Sequence, residues 1–455
     1  MSSPTECSIS SSALPENIDT TLPITFPFPL EDNDDANIEE RRAFWDSPTV
    51  FQWFNERGYT LYKREEEEWG GPAWTTIPAL PCETCGNLDY PYPHYNLEGR
   101  YGLPLALRTS EIMGKIVYAQ DNQNPSHHVA IKLIMTDSEE RRILEFLKSQ
   151  NLAVLKENCV VPVLDILSNG RFSFAVMPRW GPCLHLPNGG SIKNVVRIMH
   201  SMLKAVAFLH RHNILHRDIK FANVLVSHFS DDTTSYTESA AREQLRSSNS
   251  LIYCLFDFDI SMMLPPDVDK RCYRLPYRLS WDGTFCQPKD TAQGEFDYNP
   301  FAYDVGTLGR VFCIQYQHLS TLIPMFAPFL DRMTTRDISS RFTAAEALDF
   351  FEKFLPDISA DILELEAPEK PSEPKDQSYD VYDRWQGVSP DFARKWAAFR
   401  EPRIPLSIKI LRWICSFRQL AHIVPAVRLF FLPLYNLAPR TVMCLRSLLS
   451  YPDRK

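Results

Sequence analysis

The sequence predicts an α+β fold with two lobes, a small lobe of antiparallel β-strands followed by a larger helical lobe, with extensions at both ends. Stretches rich in β-branched residues at 114–120 and 127–135 flank the turn-forming DNQNPS, as in a hairpin. Farther along, five apolar residues recur at the three- and four-residue spacing of an amphipathic helix. They are Val195, Ile198, Met202, Val206 and Leu209. Strands that come first and helices that come later favour two separate lobes.

Weaker signals of the same kind place the remaining elements. A short helix is expected over 138–149, and further strands over 159–167 and 171–177. We therefore expect the small lobe at 106–177 and the helical lobe at 178–355.

Composition limits the classes of function. The 455-residue chain is 44% hydrophobic and 23% charged, which is ordinary for a globular protein large enough for two lobes. Its net charge of −9 argues against nucleic acid as a partner, because binding nucleic acid needs a basic surface. The N-terminus lacks the basic start and apolar run of a secretory signal, so we expect an intracellular, cytoplasmic protein. Cys82 and Cys85 form one CxxC pair, too few ligands for a structural zinc, and are interpreted as loop thiols.

Four segments are expected to flank or interrupt the lobes. Residues 1–40 are acidic and rich in serine, and are predicted to be disordered. The aromatic segment 41–105 is predicted to be an ordered extension that packs on the next domain. A polar insertion at 227–250 is expected to form an exposed loop. Residues 356–400 are interpreted as an acidic, proline-containing linker.

The tail, residues 401–455, differs from the rest of the chain. It contains nine Lys and Arg but two Asp and Glu, and its apolar content is high. Its longest charge-free run is too short to span a bilayer. We expect the tail to dock on the helical lobe or on a partner, and peripheral membrane contact is the alternative. The sequence leaves the oligomeric state open.

The stretch 214–225, ILHRDIKFANVL, places an acid, a lysine and a carboxamide at fixed offsets within an apolar frame. Asp218 can accept the proton of a substrate hydroxyl, and Lys220 can neutralise charge on a transferring phosphoryl group. Asn223 can hold a metal ion. The pattern therefore predicts a catalytic loop for phosphoryl transfer.

HRDIKFAN resembles the catalytic loop of the eukaryotic protein kinases, and further matches follow in family order over 106–355. VAIK, FAVMPRW, LFDFDIS, DVGTLG and DISSRFTAAEAL resemble the ATP-binding strand, hinge, magnesium-binding segment, central helix and closing segment. The aromatic extension, with VAIK followed closely by SEE, resembles divergent kinases of mushroom-forming fungi. The resemblance implies a two-lobed kinase fold, ATP and Mg²⁺ as cofactors, and a protein substrate. The lysine two residues after the aspartate resembles the serine/threonine-specific branch.

At the nucleotide, the resemblance implies a role for each matching residue. Lys132 would grip the α- and β-phosphates and pair with Glu140, and Glu139 is the neighbouring candidate. Three further residues would line the nucleotide: Gly114, Ala130 and Met177, the last as gatekeeper of the hinge.

In the helical lobe, the resemblance implies that Asn223 and Asp257 hold magnesium. Phe258 would pack as the switch beside Asp257, and Asp304 would buttress the catalytic loop. Arg217 resembles the arginine that binds a phosphorylated activation segment in other family members.

Three departures from the family pattern bear on activity. Thr109 and Glu111 replace two of the three glycines expected in the phosphate-binding loop. Asp259 replaces the glycine of the DFG motif, and is expected to add a carboxylate beside the metal site. In QPKD, the nearest match to the APE motif, Lys289 could not form the usual salt bridge with Arg341. An active kinase is predicted, and the alternative is a weak or inactive pseudokinase that acts as a nucleotide-binding or protein-interaction scaffold.

Overall fold

The structure is a computed structural model of the chain. It describes residues 38–64, 75–81, 92–93, 107–110, 114–182, 190–229, 250–283, 286–368 and 381–417, with 22, 25–27, 245, 247–248, 379, 423–424 and 427–428. The predictions for Cys82, Cys85 and Glu111, for most of 227–250 and for 429–455 lie outside the described residues.

The strands and helices that the sequence predicts occur in the predicted order, together with further short elements such as α1 and α2. The strands are β1 Tyr59–Leu61, β2 Lys63–Arg64, β3 Thr75–Ile77, β4 Tyr92–Pro93, β5 Thr109–Ser110, β6 Ile116–Asp121, β7 His128–Met135, β8 Asp165–Asn169, β9 Phe172–Pro178, β10 Gly181–Pro182, β11 Ile214–Leu215, β12 Val224–Val226, β13 His228–Phe229, β14 Tyr253–Leu255, β15 Met262–Met263, β16 Leu275–Pro276 and β17 Asp297–Tyr298. The helices are α1 Ile38–Trp45, α2 Pro48–Asn55, α3 Glu139–Ser149, α4 Leu152–Glu157, α5 Ile192–Arg211, α6 Pro300–Tyr316, α7 Phe326–Thr334, α8 Ala344–Phe354, α9 Ala360–Glu364, α10 Pro390–Lys395 and α11 Leu406–Cys415.

The small lobe is a five-stranded antiparallel sheet in the order β1-β6-β7-β9-β8. Strands β6 and β7 form the predicted hairpin, and α3 follows β7 with Ser138 as its N-cap. The Ser138 hydroxyl accepts a hydrogen bond from the backbone N–H of Arg141 at 3.1 Å, which satisfies a donor that the helix leaves unpaired. The two-lobed α+β fold class is confirmed.

The edge strand of this sheet comes from the segment that was predicted to be an extension. Tyr59 lies opposite Asp121 and Leu61 opposite Ala119, so β1 pairs with β6. Thr109 was expected in the phosphate-binding loop. It instead pairs with Thr76 in a separate sheet formed by β2, β3 and β5. The sheet therefore uses residues that precede the predicted boundary at 106.

The strand predicted over 159–167 is shorter than expected. It begins at Asp165, because Pro162 has no N–H to donate to a neighbouring strand. The residues before it contact the helical lobe instead, where the N–H of Val161 donates to the carbonyl of Leu255 at 3.1 Å.

Aromatic side chains from α1 and α2 fill one face of the small-lobe sheet. The rings of Trp45 and Phe54 lie 5.6 and 4.9 Å from the ring of Phe174 on β9. Phe26 is also buried, 5.0 Å from the ring of Phe44. The prediction of disorder over 1–40 was therefore too broad. Burial of the Phe26 side chain in this cluster stabilises the folded position of the segment around it.

The helical lobe is built around α5, which packs against α6, α8 and β14. Helix α6 begins at Pro300, after an Asn299 side chain that accepts a hydrogen bond from the N–H of Ala302 at 2.9 Å. Its buried face carries Asp304 into the interior of the lobe. This placement positions the catalytic loop.

The linker and the described part of the tail both contact the helical lobe. Asp331 of α7 forms a buried ion pair with Arg384 and accepts hydrogen bonds from Trp385 Nε1 at 2.8 Å and from the N–H of Glu401 at 2.9 Å. Arg336 pairs with Glu401 at 2.7 Å. Across the portion of the chain that the structure describes, no helix combines the length and apolar character needed to cross a membrane.

Candidate active site

The catalytic loop is held by one buried carboxylate. Asp304 accepts hydrogen bonds from the backbone N–H groups of His216 at 2.8 Å and Arg217 at 2.9 Å, and lies 3.1 Å from His210 Nε2. Arg217 has a φ of 67°, a conformation that costs free energy for a residue with a side chain. The two hydrogen bonds to Asp304 hold the strained backbone, and Asp304 thus lies where the resemblance implies.

Asp218 points into a cavity of about 310 Å³. Its Oδ2 atom accepts hydrogen bonds from Lys220 Nζ at 2.7 Å and Asn223 Nδ2 at 2.9 Å. Its Oδ1 atom is buried and has no hydrogen-bond partner among the described residues. Because Asp218 lines the cavity, its carboxylate keeps acceptor capacity beside the space that a hydroxyl group would enter.

Lys132 of β7 is surrounded by three carboxylates. Its Nζ atom lies 2.6 Å from Glu140, 2.9 Å from Asp257 and 2.7 Å from Asp259. Burial disfavours the charged ammonium, but the three carboxylates outweigh burial and raise the pKa of Lys132 well above its usual range. Glu140, and not Glu139, therefore occupies the position opposite Lys132, since Glu139 contacts Arg142 at 3.6 Å.

The segment after β14 brings Asp257 into the same cavity. Asp257 has a φ of 70°, and the next side chain, Phe258, is buried with its ring 5.5 Å from that of His216. The packing of Phe258 fixes the direction in which Asp257 points. Asp218, Lys220 and Asp257 line one cavity together with Asp259.

Comparisons with known proteins agree with this geometry. A sequence profile described as "Protein kinase domain" matches residues 113–234, from β6 through the catalytic loop. The chain therefore contains a protein kinase domain.

Curated relatives carry cyclin-dependent kinase names. Cyclin-dependent kinase-like 2 of Rattus norvegicus is 30% identical over 130 residues, which are 29% of this chain and 24% of the relative. Cyclin-dependent kinase-like 5 of Homo sapiens is 28% identical over 135 residues, 29% of this chain and 13% of the relative. Cyclin-dependent kinase 9 of Danio rerio is 26% identical over 129 residues, 24% of this chain and 34% of the relative. The matches thus span between 13% and 34% of each relative's length.

Asp259 lies beside Asp257, the expected metal ligand, as the sequence predicts, since carboxylate oxygens of Glu140, Asp257 and Asp259 all lie within 4.8 Å of one another. The carboxylate of Asp259 also bonds Lys132, and Lys132 lowers the pKa of Asp259 to about 2 although burial opposes the shift. Asp257 has a positive φ and Asp259 lies in the turn that follows, and both side chains reach Lys132. The φ angle of Asp259 is not positive, so its backbone conformation does not require glycine.

Ala130, Lys132 and Met177 share one face of the kinase sheet. Ala130 lies opposite both Tyr118 of β6 and Met177 of β9, and side chains alternate between the faces of a strand. The structure thus brings these residues together on the face that carries Lys132.

Gly114 serves a structural contact in this kinase. It has a φ of 66°, its carbonyl accepts a hydrogen bond from Trp45 Nε1 at 2.8 Å, and a Cβ atom there would lie 2.9 Å from Cβ of Arg41. Glycine is needed at this position because α1 packs against it. Thr109 is fully buried in β5, so its side chain does not form an open phosphate-binding turn. A nucleotide contact of Gly114 stays a prediction.

A polar chain at the hinge of the kinase was not predicted from the sequence. Arg179 is buried, its guanidinium lies 4.3 Å from the ring centre of Phe229, and it donates to the Tyr62 hydroxyl at 2.9 Å. That hydroxyl lies 2.5 Å from Nδ1 of His128. Burial, reinforced by the charge of Arg179, lowers the pKa of His128 to about 3.

Acid is therefore expected to destabilise the kinase through His128. The native state keeps His128 neutral, whereas the unfolded state binds a proton below a pKa of about 6.5, so stability present at pH 7 is lost as pH falls. Between pH 7 and pH 5 the free energy of unfolding should fall by about 2 kcal/mol from this residue. Urea unfolding at both pH values tests it, with His128→Gln as comparison. An equal pH dependence in both proteins would contradict the prediction.

Arg217 forms hydrogen bonds with the unmodified activation segment, the stretch from Asp257 to Asp290. It donates to the carbonyls of Ile260 at 2.8 Å and Leu279 at 2.5 Å, and lies 3.4 Å from Asp282. These contacts hold the activation segment in place without a phosphate group bound to Arg217.

The closing segment keeps its salt bridge, contrary to expectation. Arg341 is buried and pairs with Asp290 at 2.7 Å, the residue directly after Lys289. The prediction that no such pair could form was wrong because it considered Lys289 and not the neighbouring carboxylate. Arg341 also donates to the carbonyls of Thr335 and Ala302, which ties the activation segment to α6.

Removing this carboxylate is expected to destabilise the kinase. In Asp290→Ala, the guanidinium of Arg341 stays buried without its counter-charge, which should lower the free energy of unfolding by about 3 kcal/mol. Thermal and urea unfolding measure the change. Asp267→Ala, which removes an exposed carboxylate, is the matched control and should change stability by less than about 0.5 kcal/mol. Equal stabilities for the two variants would show that the pair does not hold the segment.

Proposed function

We propose that this kinase transfers the γ-phosphoryl group of ATP to serine or threonine hydroxyls of protein substrates, in a magnesium-dependent reaction. The observation that carries the proposal is the carboxylate of Asp218, which lines one cavity with Lys220 and Asp257 and keeps unused acceptor capacity. Serine/threonine specificity is supported by Lys220, two residues after Asp218, and by the cyclin-dependent kinase names of the relatives.

The acceptor hydroxyl would donate a hydrogen bond to the carboxylate of Asp218. As the hydroxyl oxygen forms its bond to the γ-phosphorus, its proton passes to Asp218, and the bond from the γ-phosphorus to ADP breaks. Lys220 lies 2.7 Å from Asp218 and can neutralise charge on the group being transferred. Lys132 is placed to hold the α- and β-phosphates, and its raised pKa keeps it cationic.

The donor set fits magnesium. The ion favours hard oxygen ligands, and Asn223 uses its Nδ2 to bond Asp218, which leaves its Oδ1 for a cation. Asp257 contacts Lys132 through Oδ1 and offers its second carboxylate oxygen. When bound, magnesium neutralises charge on the phosphate oxygens during transfer.

Phosphate transfer from radiolabelled ATP by the purified full-length protein tests the proposal. We expect magnesium-dependent labelling of the protein itself or of a general acceptor such as casein, lost when EDTA removes the metal. Phosphoamino-acid analysis should give phosphoserine or phosphothreonine. Absence of transfer from a folded protein that binds ATP would contradict the proposal, and phosphotyrosine would contradict its specificity.

A second candidate function is a scaffold that works without phosphoryl transfer. The observation that favours it is Asp259, whose carboxylate occupies Lys132 where a phosphate would bind. A scaffold that binds no nucleotide would show no stabilisation by magnesium and ATP in a thermal unfolding assay, whereas a nucleotide-binding scaffold would be stabilised but would transfer no phosphate. The enzyme is expected to show it, since a ligand that binds the native state raises the unfolding temperature.

A further inference from the structure

Helix α11 carries an exposed apolar stripe. Four large side chains follow one another at intervals of four, three and four residues, which places them on one line along the helix. They are Leu406, Ile410, Trp413 and Phe417, exposed by 73, 49, 64 and 46%. The rings of Trp413 and Phe417 lie 5.2 Å apart, so the stripe is continuous at its C-terminal end. Large apolar side chains in a row on a soluble surface mark an interaction site.

The opposite side of the helix is already used. Leu411 and Cys415 are partly buried, and the helix contacts the turn at Lys289–Ala292. Beyond the helix, Arg428 pairs with Glu295 at 2.8 Å. These contacts dock the tail on the helical lobe, and they fix the helix with its stripe directed outward.

Charge indicates what the stripe contacts. The segment 401–455 has a net charge of +7, whereas the whole chain has −9, so the remainder carries −16. Lys409 lies on the helix itself, exposed beside the stripe. A basic segment attracts an anionic surface but repels a second copy of itself. An apolar stripe with a tryptophan and flanking basic residues has the two signals that a helix needs to lie in a lipid headgroup layer.

We propose that the outward face of α11 binds an anionic lipid surface and holds the kinase against a membrane. Leu406, Ile410, Trp413 and Phe417 insert among the headgroups, while Lys409 contacts lipid phosphates or carboxylates. The docked side of the helix keeps the acidic body of the kinase attached. The proposal does not depend on phosphoryl transfer.

Cosedimentation of the full-length protein with phosphatidylcholine vesicles, with and without phosphatidylserine, tests the proposal. At physiological salt we expect binding to the vesicles that contain phosphatidylserine and much weaker binding to the neutral ones. The double variant Ile410→Ser/Trp413→Ser should bind at least about tenfold more weakly. Val381→Ser, which changes an apolar residue exposed by 65% outside the stripe, is the matched control and should bind as the wild type does.

A second variant separates charge from apolar contact. Lys409→Glu should weaken binding to phosphatidylserine vesicles and reduce its salt dependence, because one favourable charge contact becomes repulsive. Equal unfolding temperatures of all variants would show that the fold is intact. No binding to phosphatidylserine vesicles, or unchanged binding by the Ile410→Ser/Trp413→Ser variant, would overturn the proposal. Capture of an acidic protein by the stripe without lipid binding would overturn it as well.

Discussion

Asp218→Asn is expected to lower the rate of phosphoryl transfer by about 10²- to 10⁴-fold. The substitution keeps the shape of the side chain and can keep the contacts around Oδ2, but an amide does not accept the hydroxyl proton. Steady-state phosphate transfer measures the rate, and ATP binding by calorimetry should stay within about twofold of the wild type.

Asp361→Asn makes the same chemical change at an exposed position and should leave the rate unchanged. An Asp218→Asn protein as active as the wild type would exclude Asp218 as the proton acceptor. That result would not test the role proposed for Lys132, because Asp218 acts on the acceptor hydroxyl and Lys132 on the phosphates of ATP.

Asp259→Gly is expected to raise ATP affinity by about three- to tenfold. In the structure, Lys132 must exchange the carboxylate of Asp259 for a phosphate, and the remaining negative charge would repel that phosphate. Asp259 is half-exposed, so the pair is worth about 1 kcal/mol, which limits the gain to the stated range. Lys132 keeps Glu140 and Asp257, and the ammonium group stays in place.

Asp259→Asn separates charge from backbone freedom. If the charge is what opposes ATP, the asparagine variant should gain most of the affinity that the glycine variant gains. A gain confined to Asp259→Gly would point to backbone freedom instead. Unchanged affinity in both variants would show that Asp259 leaves Lys132 without measurable cost when ATP binds.

The catalytic centre was largely readable from the sequence because its groups lie in short segments. Asp218, Lys220 and Asn223 fall within six residues, and the hydrogen bonds among them follow from that spacing. The pairing of Lys132 with Glu140 needed only the turn from β7 into α3.

Contacts between distant segments were not readable in this way. Tyr59–Leu61 is too short to show an alternating pattern, and its partner strand begins far along the chain. Asp290 and Arg341 meet only once α6 has brought the two segments together. The direction of Asp259 depends on the positive φ of Asp257, which composition does not encode. The hydrogen bonds that connect Arg179, Tyr62 and His128 likewise form only when three distant segments have come together.

The pairing of β1 with β6 has a consequence for how the chain folds. These neighbouring strands are joined by about 50 residues, and closing so long a loop costs roughly 2 kcal/mol more entropy than a tight hairpin such as β6-β7. Contacts of high sequence separation form slowly, so β6, β7, β9 and β8 should assemble before β1 joins them. During synthesis the aromatic residues of α1 and α2 emerge before Phe172 and Phe174, and they lack these packing partners until both have been made. Until then the apolar surface of α1 and α2 stays exposed, which is the condition that favours aggregation of a growing chain.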